Sequence, residues 1–247
     1  MTSNQTALAG FPQIAAQGIW EENASSQHVI GSYIETNDGR GFRYSKIGGT
    51  ATVAGKVYQG TALDATNLQP SGGLTPSADV AIGGTEITVA DSITLTANLL
   101  AGGYLSVVVT PGQGYVYKIA GNTAVSGAVG AVITLADPLQ VAITTASNFI
   151  VAQHPYSGLV IEPGTPTAAI AGVAHRVTTA SYYGWIQTKG AASVLFTGTG
   201  IASKSVGSLQ GGTSGSTAPA IAGTNIIGFH MATGITSEYA LVNLTIG

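Results

Sequence analysis

Hydrophobic and polar residues alternate through most of the chain, and this pattern predicts β-strands rather than helices. The clearest case is residues 102–121, in which the β-rich runs 105–110 and 115–119 flank the tetrapeptide Pro-Gly-Gln-Gly. Two such runs around a short loop with a proline and two glycines are typical of a β-hairpin. Tyr115 and Tyr117 fall on the same side of the second strand, so one face of the hairpin carries two aromatic rings.

Other stretches repeat this pattern of short strands and turns. Residues 29–44 predict a second hairpin, because Asp38-Gly39 separates two extended runs. Residues 239–246 alternate so that one side of a final strand faces a core. Residues 205–220 are rich in Gly, Ser and Thr and predict a loop. Short strands at this spacing indicate a sandwich or a barrel, so the fold class is all-β.

Two spacers rich in Pro, Gly, Ser or Thr, at residues 64–79 and 155–166, suggest how the chain is divided. The sequence predicts an extended N-terminal arm at residues 1–28, a β-domain at 29–155 and a C-terminal β-domain at 156–247. The two β-domains are expected to be small β-sandwich or barrel-like regions.

The predicted arm is polar and does not alternate, but it contains the large apolar residues Phe11, Ile14, Ile19 and Trp20. One interpretation is an arm that docks on another surface through these side chains. The other is an extended lead-in that packs on its own subunit, since single apolar residues occur anywhere. On the first interpretation, removing residues 1–28 leaves a folded protein.

Composition narrows the classes of function. Charged residues are 8% of the chain, against about 25% in an ordinary soluble domain. This suits a subunit whose faces are covered by other subunits; the alternative is a monomer with a neutral, threonine-rich surface. The net charge is −3 and the eight Lys and Arg residues are dispersed, so nucleic-acid binding is not expected. No apolar run reaches the roughly 18 residues of a membrane span.

The residues of catalysis and metal binding do not form recognisable groups. The chain has no cysteine, and its four histidines lack metal-ligand spacing. We therefore expect no enzyme activity, no catalytic residue, no metal and no cofactor. Tyr182, Tyr183 and Trp185 alternate in a predicted strand; they are expected either to pack in a core or subunit contact or to form a platform on which sugars stack.

Three stretches resemble the head decoration, or cement, proteins of tailed bacteriophages and related virion proteins. They are DGRGFRY at residues 38–44 with the following GG and AGK, GGY…GQGYVYKI at 102–119, and YYGWIQTKG at 182–190 with IGF and LVNL near the C-terminus. The resemblance implies a β-rich subunit, typically a homotrimer, on the capsid exterior. There it ties neighbouring copies of the major capsid protein together.

The resemblance also gives the candidate residues their roles. Phe11, Ile14 and Trp20 are the candidate capsid contacts. The candidate subunit-interface residues are the aromatic residues Tyr104, Tyr115, Tyr117, Tyr182, Tyr183 and Trp185. The expected location is the virion surface, after synthesis in the host bacterial cytoplasm, since the N-terminus shows no signal peptide. The alternative function is a head or tail fibre component that recognises host glycans through Tyr182, Tyr183 and Trp185.

Overall fold

A computed structural model describes residues 17–199, 201–208, 213–222 and 224–247, and over these residues the fold is all-β. No helix in these ranges is long and apolar enough to span a membrane. The strands in chain order are β1 (Tyr33–Glu35), β2 (Gly41–Lys46), β3 (Val57–Gln59), β4 (Glu86–Thr88), β5 (Ile93–Leu95), β6 (Tyr104–Val109), β7 (Val116–Asn122), β8 (Val125–Ala128), β9 (Val132–Leu135), β10 (Asn148–Ala152), β11 (Val160–Ile161), β12 (Ile170–Val173), β13 (Tyr183–Leu195), β14 (Ser205–Ser208), β15 (Thr217–Pro219), β16 (Ile226–His230) and β17 (Tyr239–Thr245).

The strands form two compact units whose boundaries differ from the predicted domains. The discontinuous unit contains Met1–Thr61 and Pro155–Gly247, and the inserted unit contains Ala62–His154. The predicted division into 29–155 and 156–247 is wrong, because β2 pairs in antiparallel register with β13. Side-chain packing reinforces this pairing, since Phe42 and Tyr44 share a buried cluster with Trp185.

The ten-stranded sheet of the discontinuous unit is organised around β13. This strand pairs with β2 along its first half and with β17 along its second half, with a register shift between Gln187 and Lys189. Beyond β17 the sheet continues through β16, β14 and β15. The sheet curls back on itself, because the backbone N–H of Val57 in β3 donates to the carbonyl of Gly215 just before β15 (2.9 Å).

The curled sheet encloses an apolar core on its inner face. Ala240, Val242 and Leu244 of β17 are buried, whereas Tyr239 and Leu241 of the same strand are exposed. The alternation predicted for the final strand is therefore confirmed. The predicted loop at 205–220 is wrong in part, because it contains β14 and β15. The other buried members of this core are Val57, Val173, Ala192, Val194, Phe196, Val206 and Ile227.

The inserted unit consists of a five-stranded sheet in the order β10-β6-β7-β9-β4 and a two-stranded sheet of β5 and β8. The predicted hairpin at 102–121 is confirmed, since β6 and β7 pair with Leu105 opposite Tyr117. Tyr117 and Ile119 of β7 point into the apolar core, and Val116 and Lys118 are exposed on the other face. Thus the predicted alternation is also present here.

Candidate functional site

Residues 17–23 are an integral part of the discontinuous unit rather than a free arm. The Trp185 indole N–H donates to the Gln17 carbonyl (3.1 Å), and the Tyr44 hydroxyl donates to Gln17 Oε1 (2.8 Å). Ile19 is 1% exposed in the cluster with Phe42, Tyr44 and Trp185. The predicted arm at 1–28 is therefore wrong over this segment, because its apolar and amide side chains complete a core. Phe11 and Ile14 lie outside the described residues.

Trp20 has a fixed backbone and an accessible side chain. The Arg176 guanidinium donates to the Trp20 carbonyl, and Glu22 accepts hydrogen bonds from the backbone N–H and the hydroxyl of Thr179. The Trp20 side chain is 52% exposed, and its ring meets His175 edge to face at 4.9 Å between centroids. A rigidly held, exposed indole is a good contact for a partner or a ligand.

The six predicted subunit-interface aromatics differ in accessibility. Trp185 and Tyr117 are 3% and 5% exposed, so the prediction that they form an interface is wrong. Both rings belong to the core of their own unit. Tyr104 and Tyr115 are exposed, and Tyr182 and Tyr183 are half-buried.

The predicted sugar platform of Tyr182, Tyr183 and Trp185 is not formed. Trp185 is buried, and the Tyr183 ring lies nearly parallel to that of Tyr44 at 6.2 Å between centroids. Because side chains alternate across a strand, residues 183 and 185 share one face of β13, and this face is covered by the protein itself. Of the alternatives expected for these residues, packing in a core holds for Trp185.

A surface that the sequence analysis missed is the outer side of β16 and β17. We define the β16–β17 face as the side chains of Phe229, Met231 and Leu241, which are 44–52% exposed. Phe229 pairs with Asn243, and the Met231 N–H donates to the Leu241 carbonyl (2.9 Å), so these side chains are neighbours across the two strands. The intervening residues of both strands point into the core.

Exposed apolar residues are concentrated in this part of the chain. Of the twenty large hydrophobic residues that are exposed in the described ranges, eight lie between residues 201 and 241. None of the exposed residues of β16 and β17 is charged. The side chains of the β16–β17 face are neighbours among them, and exposed apolar surface of this kind marks interaction sites in soluble proteins. The eight are Ile201, Ile221, Ile226, Phe229, Met231, Ile235, Tyr239 and Leu241.

Three histidines pack against aromatic rings inside the discontinuous unit. His28 meets Tyr44 at 5.0 Å, and His230 meets Phe196 at 4.7 Å. The His175 Nε2 atom lies 2.6 Å from the Ile19 carbonyl; because a carbonyl only accepts, Nε2 carries the proton. Burial lowers the pKa of His175 to about 4 and also lowers the pKa of His28 and His230.

These histidines predict that acid destabilises the discontinuous unit. Between pH 6.5 and about 4 the unfolded chain binds a proton at position 175 that the folded chain does not, so the free energy of unfolding falls as the pH is lowered through this window. The maximum slope for one such group is about 1.4 kcal/mol per pH unit. Chemical denaturation at several pH values should show this decline.

The matched variant for this prediction is His175→Gln, because the glutamine amide retains an N–H donor for the Ile19 carbonyl. In this variant the free energy of unfolding should fall less steeply as the pH is lowered, and His28, His230 and the carboxyl groups with shifted pKa should account for the remaining pH dependence. An unchanged slope in the variant would show that His175 is not the responsible group.

Neither the ionisable side chains of the described residues nor comparison with known proteins identifies a functional site. In the part of the chain that the structure describes, no three His, Asp or Glu residues are grouped to hold a metal ion. Glu162 is buried, which raises the pKa of its carboxyl group, and no sequence pattern predicted this burial. Comparison of the chain with protein-family models, with curated proteins and with solved structures found no match.

Proposed function

We propose that this chain is a structural subunit of a bacteriophage virion, a decoration or cement protein that coats the outside of the head. The observation that carries the proposal is the uncharged, apolar β16–β17 face. The proposed partner is the major capsid protein, which we infer from the resemblance to head decoration proteins at residues 38–56, 102–119 and 182–190. On this proposal the protein performs no reaction, and it is located on the virion after synthesis in the bacterial cytoplasm.

The proposed occupant of the β16–β17 face is a second copy of the same chain. A face without charge offers no selectivity for an acidic or basic partner, and it is best covered by another neutral surface. The chain itself is such a partner, because only 8% of its residues are charged. Homo-oligomers with closed symmetry are the commonest soluble assemblies, and the proposed assembly is a homotrimer.

An assembled subunit would hold the shell through several weak contacts at once. A trimer that presents three equivalent attachment segments converts the second and third binding events into intramolecular ones, which raises the avidity without any single tight contact. Phe11 and Ile14 remain the proposed capsid contacts. The exposed Tyr104 and Tyr115 and the half-buried Tyr182 and Tyr183 remain candidates for subunit contacts.

The proposal predicts that virions without this chain are less stable than complete virions. Deleting the gene should leave particles that assemble but lose infectivity sooner at raised temperature and low ionic strength, because the packaged DNA strains the shell. Adding the purified chain to the depleted particles should restore their stability, whereas equal survival with and without the chain would contradict the proposal.

A further inference from the structure

The discontinuous unit contains an open cleft of about 430 Å³, within the range of small-molecule sites. It lies where β13 shifts register, next to β12, the turn before β3 and the start of β17. Small residues line much of the cleft and leave space inside it, and larger side chains line the remainder. Its lining includes Trp20, Arg40, Gly55, Gln187, Ser193 and Tyr239.

Two aromatic side chains in the lining are accessible. Trp20 and Tyr239 are each exposed by about half. Gly55 has φ +76°, and an added Cβ at this position would lie 2.4 Å from the Tyr239 ring, so the ring is packed directly on the backbone. Trp20 is fixed through its carbonyl by Arg176. The cleft thus presents two aromatic surfaces whose positions are set before any ligand arrives.

Polar groups complete the cleft. The Arg40 Nε donates to Asp38 (2.7 Å), and the guanidinium carbon lies 5.7 Å from the Phe42 ring centroid, so this cation is held in place. A guanidinium has five N–H donors, and only Nε of Arg40 is used in this pair. Gln187 is buried, and its amide N–H groups donate to the carbonyls of Lys189 and Ala191, so it stabilises the wall of the cleft. The Ser193 residue is exposed.

We propose that this cleft binds a saccharide, with Trp20 and Tyr239 stacking on pyranose rings and Arg40 and Ser193 meeting the hydroxyl groups. A pyranose has an apolar C–H face and a rim of hydroxyls, and the cleft offers aromatic surface beside separate donors and acceptors. Asp38 pairs with the Arg40 Nε and offsets its charge, so it is the terminal N–H groups of the guanidinium that favour sugars carrying a carboxylate, through hydrogen bonds. This site differs from the platform of Tyr182, Tyr183 and Trp185, and it assigns Trp20 to a ligand rather than to the capsid.

The test is saturation-transfer NMR on the intact chain with D-glucose, D-galactose, N-acetyl-D-glucosamine and D-glucuronate. We expect transfer to at least one sugar, strongest for glucuronate, and an increase of about tenfold in its dissociation constant in the Trp20→Ala variant. Arg40→Gln should reduce the preference for glucuronate. The matched control is Ile82→Ala, which removes an exposed apolar side chain of the inserted unit and should bind as the unmodified chain does.

Two results would overturn the saccharide site: no transfer to any of the four sugars, or transfer that is equal in Trp20→Ala and in the unmodified chain. The circular dichroism spectrum and melting temperature of each variant would show whether the fold is retained. Self-association is measured separately, and Trp20→Ala should leave it unchanged. Failure of the saccharide site and failure of the proposed assembly are therefore distinguishable.

Discussion

Removing residues 1–28 is expected to unfold the discontinuous unit, whereas removing only residues 1–16 is expected to leave it folded. The longer deletion removes Ile19 from a core position, which costs about 2–5 kcal/mol. It also removes Gln17, the hydrogen-bond partner of Trp185 and Tyr44. Each buried donor left without a partner costs about 1–3 kcal/mol. Together these losses approach the whole stability of an ordinary domain, about 5–15 kcal/mol.

The two truncated chains form a matched pair, because the shorter deletion keeps every described contact. Thermal unfolding is followed by tryptophan fluorescence, which reports on the discontinuous unit because Trp20 and Trp185 both lie in it. It should show a cooperative transition for the chain that begins at Gln17 and none for the chain that begins at Val29. If both chains melt at the same temperature, residues 17–28 are dispensable for folding and the arm predicted from sequence regains support.

Replacing both Phe229 and Leu241 by Asp is expected to abolish self-association while leaving the subunit folded. Both side chains are exposed in the single chain, so the substitutions do not disturb its core. In the proposed assembly they would bury two uncompensated carboxylates, and residues central to an interface typically cost about 2 kcal/mol or more each when altered. The dissociation constant should therefore rise by about a thousandfold, measured by sedimentation equilibrium.

The control for this variant is the double substitution Leu63→Asp and Ile82→Asp in the inserted unit. These two residues are more exposed than Phe229 and Leu241, so the control adds the same charge at accessible apolar positions elsewhere. It should associate as the unmodified chain does. If both variants dissociate to the same extent, added charge rather than the β16–β17 face is responsible.

Local features of the fold were predictable from the sequence, and long-range ones were not. The hairpin of β6 and β7 depends on neighbouring residues and a short turn, and its alternation was visible in the sequence. The pairing of β2 with β13 joins a segment that precedes the inserted unit in the sequence to one that follows it. For example, the Ser45 hydroxyl donates to the carbonyl of Gly184. Alternation within each strand carries no information about which distant strand is its partner. The domain boundaries were wrong for this reason.

The predicted subunit interface was wrong at aromatic residues whose burial had to be inferred from residue type alone. Alternation shows which residues share a face, but aromatic rings suit a core and an interface equally well. Trp185 and Tyr117 proved to be core residues. Phe229 and Leu241 are exposed, but the sequence analysis used their segments only for the resemblance and for the final strand. The sign that could have identified them is the absence of charge at the outward positions of the last two strands.

Residues that carry the resemblance to cement proteins have structural roles within the units. Gly39 turns the β1–β2 hairpin with φ +81°, and a Cβ added to Gly103 would lie 2.2 Å from the Ala152 carbonyl oxygen. Trp185 fills a core. Such residues are required for folding, so substituting them would not separate stability from function. Informative substitutions are at exposed positions, on the β16–β17 face and in the saccharide cleft.

The molar mass of the purified chain in solution is the most direct test of the central claim that it buries its β16–β17 face against further copies. Multi-angle light scattering over a range of concentrations should give a multiple of the chain mass of 24.7 kDa, with the threefold value for the proposed trimer. A constant mass of 24.7 kDa up to the highest soluble concentration would contradict the account.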